Sequence, residues 1–208
     1  MNFKIKVAKV LFWLFTARKI LGINFKQRLN FLKTKGWWSR ICVGDNRIGQ
    51  TMSTTHTSRV IAASPELLYA AFTHPEALEA WMAPGNMTGK VHHFDLREGG
   101  SYEMSLFYPE TERDAKGKTA TKEDRYVARF VRLQPGKKIV EAIRFDTADP
   151  HFQGEMNMEV TFVPVDQGTR VTMAFDNIPD GIRPEDNEKG TELSLQKLES
   201  YILEKAGN

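Results

Sequence analysis

The stretch Asn177-Ile178-Pro179-Asp180-Gly181-Ile182-Arg183-Pro184-Glu185-Asp186-Asn187-Glu188, which continues as 189–205, decides how this chain folds. Its pattern is typical of a strand exit, a turn, an acidic helix start and one long closing helix. Apolar or small side chains then recur at helical spacing and form one inner stripe, which consists of Thr191, Leu195, Leu198 and Ile202. A single long helix at the end of the chain limits the folds that the preceding segments can adopt.

A strand and two short helices precede the other elements. The segment 57–63 predicts a short strand, after which Ser64 is a good N-cap and Pro65 suits the first helical position. The His74-Pro75 pair interrupts this first helix, because the residue before a proline avoids the α region. A second short helix is therefore predicted over 76–82.

Alternating hydrophobicity and turn residues predict the remaining strands. Tight turns are expected at Gly99-Gly100, Pro135-Gly136 and 166–168, whereas the charged segment 109–124 predicts a long exposed loop. The strands are predicted at 91–96, 102–108, 125–133, 138–145, 156–165 and 170–175.

The resulting order, β-α-α-β-β-β-β-β-β-α, is that of an α+β protein with an antiparallel sheet of about seven strands. One face of such a sheet needs to be covered, and only the C-terminal helix is long enough to do so. A strongly curved sheet that wraps around one helix leaves space between them, and such spaces become ligand cavities.

The composition changes at about residue 51. Residues 1–51 contain eleven Lys or Arg and a single acid, Asp45, together with the only cysteine, Cys42. Residues 52–208 carry a net charge of −7, all nine prolines and no cysteine. This break predicts a basic N-terminal extension (1–51) and one folded domain (52–208). A domain without cysteine needs no oxidising compartment, so a cytoplasmic location is expected.

Several interpretations of the basic extension stay open. The favoured one is upstream sequence that is not part of the natural protein, because Met52 resembles an ordinary protein start directly before the first strand. A basic amphipathic helix on an anionic membrane surface is the second, since the apolar run 10–15 is too short to span a bilayer. Nucleic-acid binding is not expected, because the bases are interleaved with core-type aromatics and match no motif.

From about residue 55 to the end, the chain resembles the START-like helix-grip superfamily, also called the SRPBCC group. Within it, the resemblance is to the family of the activator of the ninety-kilodalton heat-shock protein ATPase. It covers about three quarters of the chain, and the segments that carry it are 60–73, 78–84, 95–102, 168–172 and 179–198. The sequence departs from the family where Thr191 follows Gly190, because many relatives have a Trp there.

The resemblance implies a helix-grip fold and three functional hypotheses. The favoured hypothesis is a domain that binds a small hydrophobic or amphipathic ligand between sheet and helix. The second is a protein-interaction or co-chaperone module. The third is an enzyme similar to the cyclases and aromatases of the superfamily, with His92, Tyr102 and Arg129 as its acid–base candidates.

The predicted ligand-binding residues are those expected to face the space under the helix. Adaptable methionines suit such a pocket wall, and Arg129 is expected there between Val127 and Val131, where it would meet a ligand carboxylate or pair with Glu103 or Glu141. The site is predicted to comprise Trp81, His92, Phe94, Tyr102, Met104, Arg129, Met158, Met173, Leu195 and Leu198.

Other chemistry is not expected. The adjacent pair His92-His93 has no spaced carboxylate and is a poor metal signature. No phosphate-binding loop and no nucleophile elbow occurs in the sequence. The sequence therefore predicts no metal, no cofactor and no defined catalytic residues.

Overall fold

The structure, a computed structural model, describes residues 53–112 and 116–206. The predictions for the basic extension, residues 1–51, concern residues outside these ranges. They stay predictions, together with the domain boundary.

The described residues form seven strands and three helices in the predicted order. The bounds of β5 and β6 agree with the prediction, and those of the other elements differ by a few residues. The elements are β1 (Thr55–Ile61), α1 (Pro65–Thr73), α2 (Pro75–Trp81), β2 (Thr88–Phe94), β3 (Ser101–Phe107), β4 (Glu123–Gln134), β5 (Lys138–Phe145), β6 (Met156–Val165), β7 (Gly168–Asp176) and α3 (Pro184–Ala206), with a single 3-10 turn at Pro150–Phe152.

All seven strands belong to one curved antiparallel sheet with the order β1-β7-β6-β5-β4-β3-β2. The strands from β2 to β7 follow one another as neighbours, whereas β1 pairs with β7 at the opposite edge from β2. The α1–α2 segment therefore carries the chain from one edge of the sheet to the other. This is the predicted helix-grip architecture.

The short helices start and pack as their sequence dictates. The Leu67 amide donates a hydrogen bond of 3.3 Å to the Ser64 hydroxyl, so the predicted N-cap of α1 is confirmed. The Trp81 indole, at the end of α2, donates to the Ala71 carbonyl over 2.9 Å. Its ring also lies edge-on to Phe72, with centroids 4.5 Å apart. These contacts lock α2 onto α1.

Helix α3 has 23 residues, which gives a length of about 35 Å. It is long enough to cross seven strands spaced about 4.8 Å apart. Its predicted inner stripe is confirmed, because Thr191, Leu195, Leu198 and Ile202 are all buried.

Polar contacts hold α3 in place on both sides. The Ser194 hydroxyl donates to the Met82 carbonyl over 2.7 Å, and the Lys197 amine donates to the Met87 carbonyl over 3.0 Å. At the other edge, the Arg59 guanidinium of β1 lies 2.7 Å from the Glu199 carboxylate. The helix is thus tied both to the segment after α2 and to the edge strand β1.

A comparison of two leucines on α3 tests this packing. Leu198 is fully buried and Leu203 is 56% exposed. We expect Leu198→Ala to lower the free energy of unfolding by about 2–5 kcal/mol, since it removes buried methyl groups and leaves a cavity. The matched variant Leu203→Ala should change it by about 0.5 kcal/mol or less. Urea denaturation measures both, and equal effects would contradict the assignment of the inner stripe.

Candidate functional site

Most of the predicted lining residues converge in one buried cluster between the sheet and the helices. They come from α2, β3, β6, β7 and α3, and none is more than 2% exposed. These residues are Trp81, Tyr102, Met104, Met158, Met173, Leu195 and Leu198.

Phe94, near the end of the edge strand β2, lies at the margin of this cluster. It is half-buried, and its ring stacks on Tyr102 with centroids 5.8 Å apart. It also meets Phe130 of β4 edge-on at 5.8 Å. Phe94 therefore closes the cluster toward the β2 edge of the sheet.

The prediction that Arg129 faces the interior is wrong. Tyr126, Ala128 and Phe130 are the buried positions of β4, so Arg129 lies on the outer face, since side chains alternate along a strand. Its guanidinium is exposed and lies 3.8 Å from the Glu155 carboxylate. Val127 is likewise 41% exposed. The expected pairing of Arg129 with Glu103 or Glu141 does not occur, and Glu103 pairs instead with Arg125.

His92 does not line the interior either. A β-bulge between Val91 and His93 shifts the register of β2, and both histidines are exposed. The His92 Nε2 atom lies 2.8 Å from the hydroxyl of Ser105, which in turn donates to Glu123 over 2.5 Å. Ser105 alternates with the inward residues of β3, so this chain of hydrogen bonds belongs to the outer face.

The acid–base candidates of the enzyme hypothesis therefore do not meet. Tyr102 is in the interior, whereas His92 and Arg129 are on the outer face of the sheet.

The sequence prediction missed a polar residue of the interior, Glu141 of β5. Its side chain is 1% exposed. It lies in a cross-strand row between Phe130 of β4 and Met158 of β6, so it points to the same side as they do. Among the described residues it receives one hydrogen bond, from the Tyr102 hydroxyl to Oε2 at 2.8 Å, and no basic side chain pairs with it.

A small residue explains how Tyr102 reaches Glu141 across an intervening strand. Tyr102 on β3 lies opposite Ala128 on β4. Ala128 is fully buried, and its methyl group leaves room for the tyrosine ring to lie over β4 toward β5. Nearby, the Tyr126 hydroxyl donates to the sulfur of Met104 at 3.3 Å. The interior thus contains a carboxyl and two phenols surrounded by apolar side chains.

Burial perturbs the proton equilibria of this group. It raises the pKa of the Glu141 carboxyl from 4.5 to about 7, and the hydrogen bond from Tyr102 offsets this only in part. Burial, followed by the neighbouring Glu141 charge, raises the pKa of both Tyr102 and Tyr126. Near neutral pH the carboxyl can therefore exchange a proton, accept a hydrogen bond or bind a cationic group, while the phenols stay protonated.

None of the His, Cys, Asp and Glu side chains of the described residues form a group that could hold a metal ion. A surface cleft of about 470 Å³ lies between the segments 116–121 and 147–149. It contains none of the predicted site residues.

The comparisons with known proteins agree with this architecture. The family model described as "Activator of Hsp90 ATPase homolog 1-like protein" matches residues 62–202. The chain belongs to this family. No curated protein matches the sequence.

Several solved structures are similar. A protein from Chromobacterium violaceum is 31% identical, with a TM-score of 0.63, and the match covers 71% of this chain and 94% of that one. An AHSA1-like protein from Aeromonas hydrophila is 17% identical, with a TM-score of 0.56 and coverage of 74% and 94%. A protein from Arthrobacter aurescens is 14% identical, with a TM-score of 0.61 and coverage of 74% and 92%. The last two show the shared fold alone.

No helix of the described residues combines the length and the apolar character needed to cross a bilayer.

The buried carboxyl predicts a specific pH dependence of stability. Glu141 has a pKa of about 7 when folded and 4.5 as its ordinary value, so the folded state holds the proton more tightly. Its contribution is most favourable below pH 4.5 and is lost as the pH rises to about 7, where the loss amounts to about 3 kcal/mol. Glu141→Gln should remove this slope and be more stable than wild type at pH 8.

Urea denaturation from pH 4 to pH 8.5 measures the difference between the two proteins. Glu159→Gln is the matched control, because Glu159 lies on the outer face next to Lys138. The control should follow the wild-type slope. Parallel curves for wild type and Glu141→Gln would contradict a raised pKa at this position.

Proposed function

We propose that this domain binds a small apolar or amphipathic molecule between the sheet and α3. The observation that carries the proposal is the composition of the buried cluster, in which methionines, leucines and aromatics surround one acid–phenol pair, Glu141 and Tyr102. Ligand sites in proteins are mostly apolar and contain a few convergent polar groups that fix the orientation of the ligand.

The methionines supply the adaptability that such a site needs. Met104, Met158 and Met173 come from three different strands of the inner face, and all are buried. An unbranched thioether side chain changes its rotamer at low cost, so it can move aside for a ligand and fill the space again afterwards. Entry of a ligand into this closely packed interior requires such a movement.

Thr191, which stands where many relatives have a tryptophan, should affect which ligand is preferred. Thr191 is buried at the start of the inner stripe, and its hydroxyl donates to the Asn187 carbonyl at 2.8 Å. Its polar group is thus satisfied within α3, and its side chain is far smaller than a tryptophan. We therefore expect this chain to prefer a different ligand from relatives that have the larger side chain.

A protein partner is the second candidate function, because the family description refers to activators of the Hsp90 ATPase. The outer face of the sheet gives this candidate less support. Val127, an exposed apolar residue there, lies between Arg125 and Arg129 along β4 and opposite Glu103 and Arg144 on the neighbouring strands. Apolar residues isolated among charges are common on protein surfaces. Co-purification of a stable partner from cells would favour this candidate.

The proposed location is the cytoplasm. It is supported by the domain of residues 52–208 having no cysteine and thus no need for an oxidising compartment.

Uptake of the neutral fluorescent probe N-phenyl-1-naphthylamine tests the ligand proposal. We expect wild type to bind the probe with a blue shift and an increase in its emission. Leu198→Trp fills the interior and should weaken binding by about tenfold or more, whereas Leu203→Trp adds the same ring on the exposed side of α3 and should not. Circular dichroism checks that both variants fold, since overpacking costs about 1–3 kcal/mol. Equal binding by the two variants, or no binding by wild type, would count against an interior site.

A further inference from the structure

Glu141 is placed where an acid is costly, because its side chain is almost fully buried. Its row across the sheet is otherwise apolar, with Phe130 on one side and Met158 on the other. Replacing a buried charged group by an apolar one of similar size is often neutral or stabilising. A carboxyl in this position therefore calls for an explanation beyond the packing of the core.

The hydrogen-bonding capacity of Glu141 is only partly used. An ionised carboxylate has about four acceptor sites on its two oxygens. Among the described residues, the Tyr102 hydroxyl occupies one of them, on Oε2. A buried carboxylate with unused acceptor sites gains most from a further hydrogen-bond donor.

The basic residues nearest to β5 along the sheet lie on its other side. Arg129 and Arg144 share Glu155 as their ion-pair partner, and Arg125 pairs with Glu103. Among the described residues, the titratable groups that face Glu141 from β3 and β4 are the phenols of Tyr102 and Tyr126. Among the residues that the structure describes, the interior around Glu141 therefore contains an acid and no base to bind an anion.

We infer that the natural ligand carries a hydrogen-bond donor, a protonated amine or a hydroxyl, which binds the Glu141 carboxylate while its apolar body contacts Met104, Met158 and Leu198. This inference rests on the proposed function, and it names the chemical class of the ligand. When Glu141 is ionised, it disfavours fatty acids and other carboxylates, whose anionic group would be buried against a second acid.

Three probes with one common body test the inference: 2-naphthylmethylamine, 2-naphthylmethanol and 2-naphthoate. Binding is measured at pH 8, where Glu141 is mostly ionised, by titration calorimetry and by the shifts of carbon-13-labelled methionine methyl groups. We expect the amine and the alcohol to bind at least about tenfold more tightly than the carboxylate, which corresponds to one hydrogen bond to a charged group.

Variants of the full-length protein test whether Glu141 is responsible for the preference for the amine and the alcohol over the carboxylate. Glu141→Gln keeps the size of the side chain and an acceptor for Tyr102, so this variant should fold. Its affinity for the amine should fall about tenfold. It should bind the carboxylate more tightly than wild type does. Glu159→Gln, which removes an acid from the outer face, should leave all three affinities unchanged.

The outcomes separate this inference from the proposed function. Equal binding of the three probes to wild type, with shifts of the interior methionines, would overturn the donor preference and leave ligand binding intact. Unchanged amine affinity in Glu141→Gln would overturn it as well. If neither the three probes nor naphthalene itself shifts any interior methionine, both the inference and the proposed function are wrong.

Discussion

Coverage of one face of the sheet by α3 is the constraint on which the rest of this structure depends. The inner face presents buried side chains from β1, β3, β4, β5, β6 and β7, and the sheet is too wide for either short helix to cover. Because β1 and β2 lie at opposite edges, the α1–α2 segment closes one side and α3 lies across the remainder. The Ser194–Met82 contact and the Arg59–Glu199 ion pair hold the helix at both sides. A polar group near the centre of the inner face, such as Glu141, is consequently sealed from water.

The sequence was sufficient to predict the helices and strands and their order, because the signals that begin and end these elements are local. Proline at residues 65 and 75, the Pro135-Gly136 turn and the two-residue turn between β6 and β7 depend only on backbone geometry. In the last case Gly168 has a φ of +131°, which other residues rarely adopt. The inner stripe of α3 could be predicted equally well, since a helix of 23 residues gives six turns of periodic pattern.

The faces of the strands were harder to assign, and β4 and β2 show why. Along β4, valines alternate with tyrosine, alanine and phenylalanine, so both faces contain apolar residues. The sequence prediction places the valine face inside, although that face also carries Arg125 and Arg129. The cost of burying two guanidinium groups exceeds that of exposing two valines, and this comparison assigns the face correctly. In β2, the bulge after Val91 shifts the alternation of inward and outward side chains. No feature of the local sequence predicts this bulge.

The position of Glu141 could have been recognised from spacing alone. Lys138, Glu141 and Arg144 lie on one strand, and Glu141 is three residues from each base. An odd separation on a regular strand puts two side chains on opposite faces. The two bases therefore share one face and the acid faces the other, so that one arrangement buries a single acid and the alternative buries two bases. The first costs less, and it agrees with the exposed Arg144 and the buried Glu141 of the structure.

The sequence predicts a positive charge in the interior, from Arg129, whereas the structure places the acid Glu141 there. This difference reverses the sign of the charge expected at the site. An inward arginine would favour a ligand anion, because a guanidinium binds a carboxylate through two parallel hydrogen bonds. An inward carboxylate whose only partner among the described residues is a phenol favours a donor instead. The arginines on the outer face do not restore a positive interior, since Arg125, Arg129 and Arg144 are each paired with an acid there. The polarity of an interior covered by a single helix can thus depend on which face of one strand a charged residue occupies, and a register shift of one residue would change it.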